Sequence, residues 1–117
     1  MNFLEKIISK LAKLELNENE TLIYQGGANL FRSNEASGGM LYLTSEKLVF
    51  VAHKMNMDST KQEIVINDIV GFKKVRNVIF NNGLVIESKN GTYRFVLNSR
   101  DKWITEIEKR QDSNEIS

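Results

Sequence analysis

The sequence predicts a mainly β domain of about seven short strands, preceded by an N-terminal amphipathic helix and closed by a C-terminal helix. Three observations support this fold class. Between about Thr21 and Leu97 the apolar residues alternate with a period of two, which is typical of strands that bury one face. Near both ends of the chain the spacing lengthens to three and four residues, which is typical of helices. Glycines and asparagines separate the short apolar runs, and the 117 residues include no proline.

The first element is a predicted amphipathic helix over residues 1–16. Lys6, Lys10 and Lys13 lie opposite an aliphatic face. Because an isolated helix this short is marginal in water, its apolar face needs a surface to cover. That surface is the domain's own strands, another protein or copy of the chain, or a membrane. The residues that we expect to make this contact are Phe3, Leu4, Ile7, Ile8 and Leu11.

The second element is a predicted hairpin in the segment GGMLYLTSEKLVFVAH, residues 38–53. Alternation places Leu41 and Leu43 on the same side as Leu48 and Phe50, and these four residues are the predicted core. The opposite side is mixed in character. The break falls at Ser45-Glu46, where neither residue favours the positive φ of the tightest hairpin turns, so we expect a turn with a bulge.

The later strands follow the same rule and end in a second hairpin, GLVIESKNGTYRFVL. Before it, the segment QEIVINDIVGFKKV is apolar at alternate positions and broken at Asn67-Asp68. In the hairpin, Asn90-Gly91 is the dipeptide that most favours a two-residue type I′ turn. The residues expected to face each other across it are Leu84, Ile86, Phe95 and Leu97.

The last element is a predicted helix that begins after Asn98-Ser99, either of which can cap it. Its spacing places Trp103, Ile104 and Ile107 on one face, and Glu106 can meet Arg110 one turn on. The polar residues 111–117 predict a flexible tail. The chain therefore divides into a helix over 1–16, one domain over 20–110 and a tail over 111–117.

Composition excludes several classes of protein. With 16 basic and 15 acidic residues the net charge is only +1, which argues against a protein that coats a polyanion. The chain has no cysteine, so it can form neither a disulfide nor a thiolate zinc site. No apolar run approaches the ~20 residues of a membrane span, and the start lacks the features of a signal peptide. We therefore expect a cytoplasmic protein.

No motif in the sequence supports catalysis. The one histidine, His53, has no nucleophile motif nearby, and no calcium loop or other metal-ligand spacing occurs. The pairs Gly26-Gly27 and Gly38-Gly39 lack the phosphate-binding P-loop pattern, and we expect them to allow bulges or sharp bends. The sequence thus predicts a protein that is not an enzyme, with no catalytic residue, no metal site and no cofactor.

The densest basic run is Lys73, Lys74 and Arg76, in GFKKVRNVIFNN. It lacks the interleaved exposed aromatic residues that are typical of proteins that bind single strands or RNA. We therefore expect a solvated strand edge here and no nucleic-acid partner.

Three segments together resemble the GRAM domain, a branch of the pleckstrin-homology-like superfold. They are GGMLYLTSEKLVFVAH, IVINDIVGF and GLVIESKNGTYRFVLNSRDKW, within a resemblance that runs from about Glu20 to Arg110. The most specific part is Gly39 to Phe50, in which Lys47 stands where an arginine is commoner. The chain resembles a small single-domain member of bacterial type. The resemblance implies a seven-stranded barrel of two near-orthogonal sheets, with the C-terminal helix plugging one end.

The resemblance also implies a binding function. In this superfold three loops converge at the open end of the barrel, where some relatives take phosphoinositide headgroups. The predicted basic rim is the set of residues in or beside those loops: Arg32, Lys54, Lys61 and Lys89. A lysine or arginine there can pair with phosphate oxygens, although Glu35 and Asp58 make an ordinary mixed-charge rim the alternative.

The prediction is therefore a non-catalytic module that recognises an anionic membrane surface or a protein partner, cytoplasmic or peripheral on the inner membrane surface. The alternative is a protein-interaction or self-assembly domain that acts through the N-terminal helix without lipid. These two hypotheses differ in whether the helix or the barrel rim carries the binding.

Overall fold

The computed structural model describes residues 14–32, 35–53, 61–76 and 82–116, with side chains up to Gln111. Within them, seven strands precede one helix, which confirms the predicted order of these elements. The bounds are β1 (Leu22–Arg32), β2 (Glu35–Thr44), β3 (Lys47–Ala52), β4 (Lys61–Val65), β5 (Ile69–Val75), β6 (Gly83–Ser88), β7 (Gly91–Leu97) and α1 (Arg100–Ile116), with a 3₁₀ turn at Ile66–Asp68. Of the predicted N-terminal helix, residues 14–16 are described and are not helical, and the remainder lies outside the described residues.

The strands form one antiparallel sheet in the order β4-β3-β2-β1-β7-β6-β5. Strands that follow each other in sequence pair, except for β4 and β5, which occupy the two edges of the sheet. In addition, β1 pairs with β7. The mainly β fold is therefore confirmed. The division into two near-orthogonal sheets stays a prediction.

The short link between the two edge strands requires the sheet to curl. In a flat sheet of seven strands, the edges would lie about 29 Å apart, because neighbouring strands are separated by about 4.8 Å. The chain from Val65 to Ile69 passes through only three residues, Ile66–Asp68, and spans at most about 14 Å. The sheet must therefore bend until its edges approach each other, which encloses one face as the core.

That enclosed face carries a single apolar core to which all seven strands and α1 contribute. Phe50 and Phe95 meet near its centre, with ring centroids 6.0 Å apart. The predicted core positions of both hairpins are confirmed. The buried members are Ala28, Leu30, Leu41, Leu43, Leu48, Phe50, Ala52, Ile64, Ile66, Ile69, Leu84, Ile86, Phe95, Leu97, Trp103 and Ile107.

A second buried cluster occupies the opposite face of the β2–β3 hairpin. Leu14, Tyr42, Val49 and Val51 pack together there, and both valines are fully buried. Burial raises the pKa of the Tyr42 hydroxyl. The sequence predicted a mixed outer face, but Tyr42, Val49 and Val51 on that face are as well buried as the core, while Met40 is partly buried.

The β2–β3 turn corrects the expectation of a bulge. Its register runs without a shift from Gly39↔Ala52 to Leu43↔Leu48, and neither Ser45 nor Glu46 has a positive φ. The Thr44 hydroxyl accepts hydrogen bonds from the backbone N–H groups of Glu46 (3.1 Å) and Lys47 (3.0 Å). The same hydroxyl donates to the buried carboxylate of Glu20. Because a side chain satisfies the turn's amides, the chain can reverse without a bulge.

The β6–β7 turn lies one residue earlier than predicted. Lys89 and Asn90 form it, and Gly91 is already the first residue of β7, with a φ of 152°. Ser88 stabilises the turn, since its hydroxyl accepts from the Asn90 N–H at 3.2 Å and donates to the Gly91 carbonyl at 3.1 Å. The register pairs Leu84 with Phe95 as predicted, whereas Ile86 lies opposite Tyr93 and not Phe95 or Leu97.

The predicted glycine pairs do not mark bulges. The shift in the β1–β2 register falls between Leu22 and Tyr24, and the ladder is regular from Tyr24 through both pairs. Gly39 instead allows a close approach between strands. A Cβ atom at this position would lie 2.2 Å from the carbonyl oxygen of Val51, closer than any real contact.

Helix α1 packs across the sheet through the predicted apolar residues. Trp103 and Ile107 are buried in the core, and Ile104 is partly buried against it. The Arg100 guanidinium donates to the carbonyls of Val75 (3.3 Å) and Gly83 (3.0 Å), which fastens the start of the helix to β5 and β6.

Two details of α1 differ from the prediction. Glu106 pairs with Lys109 at 3.4 Å, one position before the expected Arg110. The helix also continues to Ile116, whereas the sequence predicted a tail from residue 111.

Candidate functional site

The structure brings two residues of the basic rim, Arg32 and Lys61, into one small cavity. Arg32 is the last residue of β1 and Lys61 is the first residue of β4. Sheet curvature brings these strand ends together, although β2 and β3 lie between them in the sheet. The cavity has a volume of about 110 Å³ and is lined by Leu30, Arg32, Glu35, Ser37, Phe50, Lys61 and Gln62.

The guanidinium of Arg32 is oriented by a short chain of polar side chains. Its Nη2 donates to Oε1 of Gln62 at 2.6 Å, and Nε2 of Gln62 lies 3.4 Å from the Tyr93 hydroxyl. Gln62 belongs to β4 and Tyr93 to β7, so these polar contacts link side chains of three different strands. An exposed arginine is thus held beside the cavity.

Lys61 is held by two carboxylates. Its ammonium lies 2.9 Å from Glu63 and 3.2 Å from Glu15. Burial disfavours the charged ammonium, but the hydrogen bonds that it donates to Glu63 and Glu15, together with their charges, outweigh this effect and raise the pKa of Lys61. The hydrogen bond with Lys61, aided by the charge of Lys47 at 3.6 Å, lowers the pKa of Glu63 despite some burial. Both partners therefore remain ionised at neutral pH.

Of the remaining predicted site residues, the structure describes Lys89, which is not joined to this pair. Lys89 lies exposed in the β6–β7 turn, where its backbone N–H donates to the carbonyl of Asp68 at 2.9 Å, and it does not line the cavity. Lys54 lies outside the described residues. So do all the residues predicted for membrane or partner contact by the N-terminal helix, namely Phe3, Leu4, Ile7, Ile8 and Leu11.

The arrangement at the cavity suits the binding of one anionic group. A volume of about 110 Å³ is below the ~300 Å³ at which pockets begin to enclose a whole small molecule. Two cationic side chains converge on it, and Ser37 adds a hydroxyl to its lining. Glu35 also lines the cavity, so its charge is mixed. The described residues contain no group of three or more His, Cys, Asp or Glu side chains placed to hold a metal ion.

His53 lies exposed at the end of β3, apart from this cavity. Its backbone N–H donates to the carbonyl of Gly38 at 2.9 Å. It lines a separate open concavity of about 340 Å³ that also includes Asn29, Asn82 and Asn98. Apart from His53, the side chains that line that concavity carry no charge.

The sequence did not predict a groove of about 790 Å³ between β5 and α1. Its strand side carries Val70, which is 65% exposed, and its helix side carries Ile104. The sequence did contain a sign of this groove, because the segments GFKKV and WITEIEKR each combine apolar residues with charged neighbours. Periodicity alone does not reveal which strand forms the sheet edge, so the groove could not be located.

Comparison with known proteins identifies related folds. A model of the GRAM domain family matches residues 7–115. No curated protein matches the chain in sequence. Among solved structures, the C-terminal domain of an unknown protein from Leishmania infantum is similar, with 17% identity, a TM-score of 0.71, and coverage of 94% of this chain and 98% of the other.

Two further structures belong to pleckstrin-homology proteins. The Vps36 N-terminal PH domain has 12% identity and a TM-score of 0.65, with 87% of this chain and 86% of the other covered. The PDZ-RhoGEF DH/PH domains, solved in complex with activated RhoA, have 14% identity and a TM-score of 0.64. That match covers 92% of this chain and 33% of the other. At these identities the likeness shows a shared fold.

No helix in the described parts of the chain has both the length and the apolar character that crossing a membrane requires.

Proposed function

The chain belongs to the GRAM domain family, and from this premise we propose that it is a non-catalytic binding module whose open barrel end binds an anionic group displayed on a membrane surface. GRAM and pleckstrin-homology-like domains are generally modules that bind lipids or proteins. The anionic group is a phosphate or carboxylate, as found on lipid headgroups. The protein associates with the surface peripherally.

One observation carries the proposal: Arg32 and Lys61, from distant points of the sequence, line the same cavity. Arginine matches the geometry of phosphate and carboxylate oxygens through its planar fork of donors, and lysine adds a compact charge. A cavity too small for a whole headgroup can still take one charged group while the rest of the molecule stays in the lipid surface.

An incoming anion must compete with the carboxylates already present. Glu15 has 76% of its side chain exposed, and an ion pair so exposed contributes about 1 kcal/mol or less. Arg32 donates a hydrogen bond to the neutral amide oxygen of Gln62. An anion that binds Arg32 would take the place of this oxygen with a charged one. A charge-assisted hydrogen bond is about twice as strong as a neutral one, which favours the exchange.

The test is co-sedimentation of the protein with vesicles of phosphatidylcholine alone, with added phosphatidylserine, or with added phosphoinositide. We expect binding to the anionic vesicles only, weaker at physiological salt than at low salt. Arg32→Gln and Lys61→Gln should each weaken binding about fivefold, since one basic residue near an anionic surface contributes about 1 kcal/mol. A soluble inositol phosphate tests whether the headgroup alone is sufficient.

The matched control is Lys73→Gln, which removes the same charge from exposed β5. It should bind within about twofold of the wild-type protein if the cavity, and not total charge, determines affinity. Equal losses in all three variants, or no binding to any vesicle, would reject the proposal. Circular dichroism of each variant separates loss of binding from loss of fold.

The alternative hypothesis, self-assembly through the N-terminal helix without lipid, stays a prediction. It depends on residues outside the described ranges.

A further inference from the structure

The N-terminal linker, residues 14–21, contacts a residue of the proposed anion site. One end of the linker is anchored by Leu14, which is 1% exposed and packs with Val49 and Val51 on the outer face of the β2–β3 hairpin. Burial of a whole leucine side chain is strongly favourable. This contact therefore fixes where the linker lies on the sheet.

The other end of the linker is fastened to the β2–β3 turn. The backbone N–H of Thr21 donates to the Ser45 hydroxyl at 3.0 Å, and the Ser45 N–H donates to the Thr21 carbonyl at 2.8 Å. The side-chain amide of Asn17 donates to the Glu46 carboxylate at 2.8 Å, and its backbone N–H donates to Glu20 at 3.0 Å. The linker is thus held at both ends.

Between these two fixed ends, Glu15 directs its carboxylate to Lys61 at a distance of 3.2 Å. The backbone of Glu15 has a φ of 50°, in the left-handed region that residues other than glycine rarely adopt. Such a conformation persists where the surrounding contacts determine it, and here these are the burial of Leu14 and the ion pair of Glu15. The contact with Lys61 is therefore a defined part of the linker.

Of the two described carboxylates that contact Lys61, Glu15 is the one that can give way. Glu63 lies closer, at 2.9 Å, belongs to the same strand and also contacts Lys47 at 3.6 Å. The side chain of Glu15 is 76% exposed, against 37% for Glu63, so water solvates its carboxylate as soon as it leaves Lys61. An anion that approaches Lys61 thus displaces Glu15 more easily than Glu63.

We propose that Glu15 is an internal competitor that lowers the affinity of the cavity for anions. The inference rests on the proposed function, because it concerns the regulation of the same site. Since the linker is held at both ends, the Glu15 carboxylate stays at a high effective concentration beside Lys61 and returns whenever a ligand leaves.

Competition of this kind has two consequences. The loss of affinity is the same for every anion that must displace Glu15 from Lys61, whether the anion belongs to a lipid headgroup or to a soluble phosphate. The effect is also reciprocal, so a partner that lifts the linker from the sheet raises the affinity for anions by the same factor. Glu15 thus makes anion binding depend on the position of the linker.

The test compares Glu15→Gln with the wild-type protein in titrations with vesicles of phosphatidylcholine and phosphatidylserine, and with a soluble inositol trisphosphate. We expect Glu15→Gln to bind both about three- to fivefold more tightly, a modest gain because exposed ion pairs are weak. The gain should be larger at low salt than at physiological salt, since salt screens the pair between Glu15 and Lys61.

Two controls separate a direct effect from a general one. Glu18→Gln removes the same charge from another exposed position of the linker and should stay within about twofold of wild type. In a Lys61→Gln background, Glu15→Gln should give no gain, because the group that Glu15 neutralises is absent. Saturating the ¹⁵N-labelled wild-type protein with inositol trisphosphate should also move the Leu16 amide signal toward its position in Glu15→Gln.

An equal gain in Glu18→Gln, or a gain that persists without Lys61, would overturn the proposal. Wild-type binding to the anions with no gain in Glu15→Gln would overturn this inference and leave the proposed function standing. If neither the wild-type protein nor Glu15→Gln binds either probe, both fail together.

Discussion

Gly39 illustrates how a single position can fix the spacing between two strands. A Cβ atom there would meet the carbonyl oxygen of Val51 at 2.2 Å, the Phe50 ring at 2.8 Å and Cα of Ala52 at 2.9 Å. Two of these three atoms are backbone, which cannot move aside as a side chain can. The glycine is therefore required for packing, not for a turn or a positive φ.

We predict that Gly39→Ala destabilises the domain by about 1–3 kcal/mol, the usual cost of overpacking, or more because backbone must shift. The measurement is the free energy of unfolding in urea. Gly27→Ala is the matched control, since nothing lies within 4 Å of a Cβ at that position. Gly27→Ala should be neutral or stabilising by up to about 1 kcal/mol. Equal effects at both positions would contradict this account.

At the scale of elements, edge strand β4 is fixed partly by charge. Glu63, in the middle of β4, contacts Lys61 on its own strand at 2.9 Å and Lys47 on β3 at 3.6 Å. The hydrogen bond with Lys61 lowers the pKa of Glu63, so folding favours its ionised form. Glu63 therefore contributes stability above its unfolded pKa, and loses it as the pH falls through the folded pKa.

Acid titration of stability tests this contribution. The free energy of unfolding should fall between about pH 6 and pH 3 more steeply in wild type than in Glu63→Gln. Because the Glu63 side chain is 37% exposed, the difference should be about 1 kcal/mol or less. Glu18→Gln controls for the loss of one carboxylate outside this group. Parallel curves for wild type and Glu63→Gln would contradict the prediction.

At the scale of the whole molecule, one core joins every strand to the helix. Trp103 is the only tryptophan of the chain, and it is buried among residues from β1 to β7. Its ring also meets that of Tyr24, at a centroid distance of 4.6 Å. The sheet and the helix therefore have no separate cores, and should unfold together.

We predict that Trp103 fluorescence and far-ultraviolet circular dichroism give the same midpoint in urea. Phe50→Ala should lower both midpoints together, since truncating a buried phenylalanine costs about 3–5 kcal/mol. Val65→Ala, at an exposed position, should change little. Two separate transitions would show that the helix unfolds independently of the sheet.

Alternation predicted the strands and the core, because a side chain's face follows directly from its position in a strand. It could not predict the sheet order, which depends on how strands meet after curling. The two turns differed from prediction because side chains bond to their amides. Thr44 accepts from the amides of the β2–β3 turn, which has no bulge, and Ser88 accepts from Asn90 in the β6–β7 turn, which lies one residue earlier than predicted.

The candidate site was predictable only in part. The sequence named Arg32 and Lys61, and the structure places both at one cavity. Their partners Gln62 and Glu15 were not predicted, because contacts between distant residues leave no local pattern. Glu63 was also missed, although it lies two residues from Lys61 on the same face of β4, where alternation could have indicated the pair. Lys89 was grouped with them by loop, but the pairing of β5 with β6 places its turn beside Asp68.

The pairing of β1 with β7 also has a kinetic consequence. Among the described ladders, it alone joins strands from opposite ends of the chain, whereas the others join neighbours in sequence. Two local meanders, β1–β4 and β5–β7, can form early, and their union through Ala28–Phe31 requires the entropy loss of closing a long loop. We expect this closure to limit the rate of folding, so substitutions in the β1–β7 ladder should slow folding, while those in the outer strands should mainly speed unfolding.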